Sequence, residues 1–352
     1  MSNTIVESTL KNGEPLNWTV PLDARHFRVE RQQVASIDLT PLQQCAKLHE
    51  IVIYRNKLET VDLSPLSKLR DLRTLSLSNN RLRAVDLAPL RSCPYLDSLD
   101  LSENFLHEVD LRPLSKCPRL RGLSLARNLL TTLDLDPLKS CKNIESISIS
   151  RNKLQKIDLS ILAHLRVLDR LSLSNNRIDV IDLKPLQACS SLRELSLDAN
   201  RLTTVDMTPL KNLTHLEVLD VSGNKQKIIN LSWIDSGSRL RDLDISSNKL
   251  GSIDLTPLES CVKLEALRIA KNELVSLELD PLSSCSELKV LNLIENRLRV
   301  IDATPLLSCM HLDILRVDRD VEVTVSKNYF DPDMAPEALR WRWQNGLLTF
   351  IE

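Results

Sequence analysis

Glycine is scarce in this chain. Six occur in 352 residues, where average usage near 7% would give roughly 25. That shortage argues against phosphate-cradling loops, which need glycine for tight turns and close backbone approach. Aromatics are also rare, at 3% of the chain. Neither sign of charge dominates: 46 Lys and Arg against 47 Asp and Glu leave a net of −1. Such a balance gives no overall pull toward nucleic acid or an anionic membrane. Long hydrophobic runs are missing as well. Met1 to Glu30 hold no apolar run of the roughly 7–15 residues that a secretory leader carries. No stretch reaches the ~18 apolar residues of a membrane-spanning helix. With 42% apolar and 26% charged residues, the composition is that of an ordered soluble chain, not a disordered one.

Leucine is abundant, about one residue in five, and it is periodic. Leucine or isoleucine recurs every 24 residues from Leu48 through Leu72, Leu96 and Leu120 to Leu312, with no insertion or deletion. With that residue as phase 1, the unit reads L-x-x-L-x-L-x-x-N-x-L-x-x-(V/I)-D-L-x-P-L-x-x-C-x-x, and Ala24 to Lys47 fit the same frame. Phases 4 and 6 are apolar while 5 and 7 are polar, the period of a strand with one buried face. Leu75 and Leu77 therefore point in, and Ser76 and Ser78 point out. Phase 17 is Ser, Thr or Asp in most units, and phase 18 is proline in ten of twelve. A capping oxygen followed by proline predicts the start of a short helix or 3₁₀ turn. One unit cannot cover its own apolar faces, so stacking on neighbours is what lets it fold.

The string L-x-x-L-x-L-x-x-N-x-L resembles the leucine-rich repeat, and the match runs from about Ala24 to Val317. The resemblance implies an α/β leucine-rich repeat solenoid, a curved right-handed horseshoe. Its parallel strands line the concave face, and short helical or 3₁₀ turns form the convex side. Three segments are expected: an N-terminal cap at 1–23, about twelve units at 24–317, and a C-terminal cap at 318–352. Val321, Val323 and Val325 alternate as a last strand. Pro336 to Asn345 read as a helix closed by Gly346, with Leu339 and Trp343 on one face.

Three polar ladders run through the frame. Asparagine holds phase 9 from Asn56 to Asn296, and its amide can satisfy backbone groups where each strand turns. All eight cysteines, Cys45 to Cys309, share phase 22, where other units carry leucine or glycine. Their parallel spacing disfavours zinc sites and disulfides and suits buried free thiols. Free thiols point to a reducing compartment, cytoplasmic or nuclear. Aspartate holds phase 15 in most units, and bonds to the following turn would relieve repulsion among its members. A calcium spine is the sharper alternative, but the oxygen-rich loops it needs are absent.

Function is expected where the consensus leaves residues free. Phases 3, 5 and 7 are mostly serine in the middle of the chain. Beyond them Glu194, Asp198, Asp220, Asp242 and Asp244 form an acidic patch on the concave face, bordered by Arg170 and Arg268. Such a patch suits a protein partner with a basic segment. Tyr54, Phe105, Arg268 and Arg316 are secondary candidates. So is Trp233, expected as an exposed convex anchor. Trp233 belongs to an irregular unit in which Gln226, Asn230 and Gly237 also break the consensus, by drift or as a grafted site or hinge. A basic stripe at phase 10 lacks the interleaved aromatics of single-strand binders, so no nucleic-acid partner is expected, and no membrane. The six histidines fall in no nucleophile or metal motif, so no catalytic residue, cofactor or metal is assigned. These features describe a monomeric, non-catalytic interaction scaffold. A secreted bacterial effector of the same fold, or a metal-stabilised repeat spine, remains open beside it.

Overall fold

The structure, a computed structural model, describes residues 2–352. They form two compact units, one ending at Arg177 and the other running from Ile178 to Glu352.

The first unit opens with β1 (Asn3–Val6), β2 (Ser8–Leu10) and β3 (Trp18–Pro21). β1 pairs antiparallel with β3, and β2 with β5 (Val34–Ile37). A parallel ladder then runs through β4 (His26–Glu30), β6 (Glu50–Tyr54), β7 (Thr74–Ser76), β8 (Ser98–Asp100), β9 (Gly122–Ser124), β10 (Ser146–Ser148) and β11 (Arg170–Ser172). Its register is one repeat per strand, so Leu75, Leu99, Leu123, Ile147 and Leu171 stand side by side, all buried.

The second unit continues the pattern with β12 (Glu194–Ser196), β13 (Val218–Asp220), β14 (Asp242–Asp244), β15 (Ala266–Arg268), β16 (Val290–Asn292) and, after β17 (Val300–Asp302), β18 (Ile314–Arg316). β17 pairs parallel with β19 (Glu322–Ser326), which pairs with β20 (Thr349–Ile351). The one helix among the described residues, α1, spans Glu337–Gln344. Gly346 ends it at φ +67°, with the Gly346 and Leu347 N–H groups donating to the Trp343 and Arg342 carbonyls. That is a Schellman cap. Leu339 is buried as expected, but Trp343 is 41% exposed beside Phe330. Val321, Val323 and Val325 are all buried as a strand face requires, and Thr324 and Ser326 on the other side of β19 are buried as well.

Each strand ends on the asparagine ladder. Asn152 donates to the carbonyls of Ile149 and Ser150 in its own repeat and of Leu125 in the one before, and accepts the Leu130 N–H. The residue ahead of each asparagine is left-handed, with φ of 50–62° at Arg55, Asn79, Glu103, Arg127, Arg151, Asn175, Ala199, Gly223, Ser247, Lys271 and Glu295. Glycine is the usual occupant of such a conformation, and only Gly223 is one.

Short 3₁₀ turns such as Ser64–Lys68 and Thr208–Asn212 follow, with proline in the first turn. The cap differs from the sequence expectation. Phase 17 opens the turn, and the phase 15 carboxylate accepts its N–H, as Asp62 does from Ser64 at 2.8 Å and Asp206 from Thr208 at 3.0 Å. This Asx geometry explains the aspartate ladder. Asn230 replaces aspartate without loss, accepting the Ser232 N–H at 2.8 Å. All eight cysteines are free and buried. Most donate S–H to a carbonyl one repeat back, as Cys141 does to Leu114 at 3.2 Å. Burial pushes Cys117, Cys189 and Cys285 up to about 12.

The irregular unit, 216–239, has no 3₁₀ turn. Trp233 is buried at 6% exposure, which corrects the expected surface anchor. Its large ring stands at the phase of proline, four residues before Gly237 replaces the usual cysteine. Gly237 itself is exposed, and a Cβ there would meet only the Asp235 Oδ1 at 3.4 Å, so phase 22 of this unit lies outside the core. Gln226 is fully buried at a leucine position, and neither side-chain polar atom has a hydrogen-bond partner.

Candidate functional site

In the second unit the outward strand face carries phases 3, 5 and 7. Phase 5 reads Ser196, Asp220, Asp244, Arg268, Asn292 and Arg316 along register-matched neighbours. The row changes sign halfway, from two carboxylates to two guanidinium groups. Parallel pairing brings Asp220 opposite Asp244 because each closes its three-residue strand.

Both aspartates are half-buried. Asp220 accepts the Ser222 N–H at 2.9 Å, and Asp244 the Ser246 N–H at 2.9 Å. Among the described residues no cationic side chain pairs with either. Desolvation, with the charges of Asp198 and Asp244, pushes the Asp220 carboxyl up to about 6 against the downward pull of Ser222. Asp242 has a different fate. It forms an ion pair with Arg268 on the adjacent strand, so Arg268 neutralises part of the patch it was expected to border. Glu194, exposed, stands two strands from Asp242 in the same row, with Val218 between them. The five expected acidic residues therefore divide. Asp220 and Asp244 have no cation beside them among the described residues, and the charge of Asp198 acts on Asp220. Asp242 is paired and Glu194 is peripheral.

Arg316 is exposed on β18. Tyr54, half-buried at the end of β6, and Phe105, 46% exposed, belong to the first unit. A further pattern escaped the sequence reading. Phase 2 alternates in sign from Arg73 to Glu145 and again from Asp169 to Asp313, and Glu265 there bridges Arg241 at 2.8 Å and Lys289 at 2.7 Å. The signal in the second unit was a 48-residue charge period, two repeats long. Among the described residues no group of three or more His, Cys, Asp or Glu is gathered to hold a metal ion.

The sequence matches the family described as Leucine rich repeat in overlapping stretches from residue 46 to residue 250, more than half of the chain. The chain is a leucine-rich repeat protein. Residues 235–332 of this leucine-rich repeat chain also match the BspA type Leucine rich repeat region. A comparison with curated proteins by sequence finds no significant match. Among solved structures, the internalin InlF of Listeria monocytogenes is 25% identical, with a TM-score of 0.66 over 87% of this chain and 82% of that one. The Leptospira interrogans LRR protein LIC12759 is 16% identical, with a TM-score of 0.76 over 94% and 90%. InlJ of Listeria monocytogenes, whose functional domain includes a cysteine ladder, is 19% identical, with a TM-score of 0.62 over 91% and 81%.

Proposed function

We propose that this leucine-rich repeat protein is a non-catalytic binding scaffold whose second unit holds a basic segment of a protein partner on its outward strand face. The observation that supports this most is the Asp220–Asp244 pair. Two carboxylates in register, half-buried and without a cation, raise each other's free energy. A lysine or arginine seated between them would relieve both and gain charge-assisted hydrogen bonds. Arg268 and Arg316, farther along the same row, would repel a partner whose cations ran past Asp244, so the row also sets direction. The eight free thiols support a reducing site of action, cytoplasmic or nuclear.

The test is binding of a lysine-rich peptide across pH. A bound cation favours the ionised carboxylate, so acidification through the Asp220 value of about 6 must weaken binding. The expected loss between pH 7 and pH 5 is up to about tenfold. Asp220→Asn should weaken binding at pH 7 and flatten the pH profile in that range. Binding that is indifferent to the Asp220→Asn/Asp244→Asn pair would reject the proposal.

A further inference from the structure

The net charge of −1 is the residue of two large and opposite imbalances. Up to Arg177 the chain has 26 Lys and Arg against 20 Asp and Glu, a net of +6. From Ile178 onward it has 20 against 27, a net of −7.

The excess of positive charge in the first unit is concentrated where the 3₁₀ turns descend to the next strand, at phases 20, 21, 23 and 24. Over the six repeats from Gln43 to Val167 those positions hold nine Lys and Arg and one acidic residue, Asp71. The same phases of the six repeats from Gln187 to His311 hold three of each sign, so the bias is not a property of the repeat frame. The cations Lys68, Arg70, Arg91, Lys116, Lys139 and Lys142 are all exposed, as are Lys47, Arg119 and Arg166. Among the described residues none of the nine forms an ion pair. Elsewhere in the same unit cations do find carboxylates, as in Arg121–Glu145, Arg127–Glu103 and Arg112–Asp110. At one end of the strip Lys142, Ala163, His164 and Arg166 line a recess of about 460 Å³, open to solvent and without a carboxylate.

We infer that this flank of the first unit is a second docking surface, one that takes an extended acidic polypeptide segment and seats an acidic side chain in the Lys142–His164–Arg166 recess. Successive repeats present cations in two rows along a line, as an extended chain with carboxylates along its length requires. A nucleic-acid strand fits less well. Single-strand sites interleave stacking aromatics with their cations, and the flank has one exposed aromatic, Tyr95, whose ring already carries the Arg119 guanidinium at 4.6 Å. A membrane surface is disfavoured because Tyr95 and Val167 are the only large apolar side chains exposed on the strip, too few to anchor in lipid.

The experiment is fluorescence anisotropy of the full chain with a labelled oligoglutamate peptide, an oligoglutamine control and a single-stranded oligouridylate. The expected result is selective binding of oligoglutamate that weakens steeply between about 50 and 200 mM salt. Lys116→Glu/Lys139→Glu/Lys142→Glu should weaken it at least about tenfold, and Lys211→Glu/Lys263→Glu on the second unit by less than about twofold. Circular dichroism melting checks that both variants stay folded. Absence of oligoglutamate binding, equal loss in the two variants, or tighter binding of oligouridylate than of oligoglutamate would each overturn the proposal.

Discussion

Asn152 answers backbone groups in two repeats at once, and nothing smaller can do so. Asn152→Ala would strand the Leu130 N–H in the core, while the Leu125 carbonyl keeps its bond from Asn128. An orphaned buried group costs about 1–3 kcal/mol, so urea denaturation should show a loss of about 1–3 kcal/mol. Arg151, next to it, stands at φ +56°. A side chain there is strained, and Arg151→Gly should stabilise the protein by about 0.5–1 kcal/mol. Gly223→Ala should do the reverse, since φ is +62° and a Cβ would meet the Ala199 backbone at 3.2 Å. The asparagines were legible in the sequence, but the left-handed turn was not. Arg, Glu, Lys, Ser and Ala at phase 8 carry no signature for that conformation. It is imposed by hydrogen bonds to the following repeat, such as Arg55 N–H to the Ser78 carbonyl. The thiols behave as their phase suggested. With burial holding Cys93, Cys141 and Cys309 near 11 and others higher, almost no thiolate exists at neutral pH. A disulfide reagent should label none of the eight cysteines until the protein is unfolded.

At the scale of the element, strands and turns follow the periodicity closely, and the unit at 216–239 is where it breaks. The sequence places Trp233 at the surface, but the ring is buried with its Nε1 unpaired, while Gly237, at the cysteine phase, is exposed. Gln226 is the remaining fault, an amide in an apolar layer with both polar ends unpaired. Gln226→Leu restores the side chain of the other repeats and should stabilise by about 1–3 kcal/mol. In hydrogen exchange, the amides of this unit should open earlier than those of the repeats on either side, and the substitution should slow them. Unchanged exchange and unchanged stability would mean that Gln226 is satisfied in solution.

At the scale of the molecule, charge is what the sequence showed only in part. The acidic patch was visible as residue types, but the diagonal pairing of Asp242 with Arg268 spans 26 residues and needs the strand register to appear. The pH response combines two opposed signs. Asp220, raised to about 6, is a burden when ionised, so its part of the stability improves as pH falls from 6 toward the ordinary carboxylate range near 4. Asp62, Asp110, Asp158, Asp206 and Asp254 are held low by bonds from phase 17. Their contribution is whole above the unfolded value and lost as pH falls through the lowered one. Urea midpoints at pH 7, 5 and 3 should therefore show Asp220→Asn gaining most over wild type at pH 7, with both proteins weakening by pH 3.

The asparagine ladder also gives the array a direction. Each strand end is closed by the repeat that follows it, so a growing stack would always finish on unsatisfied donors. Here Asp318 ends the sequence of rungs, its carboxylate accepting the N–H groups of Glu295 at 3.0 Å and Asn296 at 3.3 Å. Interior repeats share these rungs, so a 24-residue piece could be excised between two matching rungs, whereas removing the Asp318 carboxylate would leave the Glu295 and Asn296 N–H groups without their acceptor.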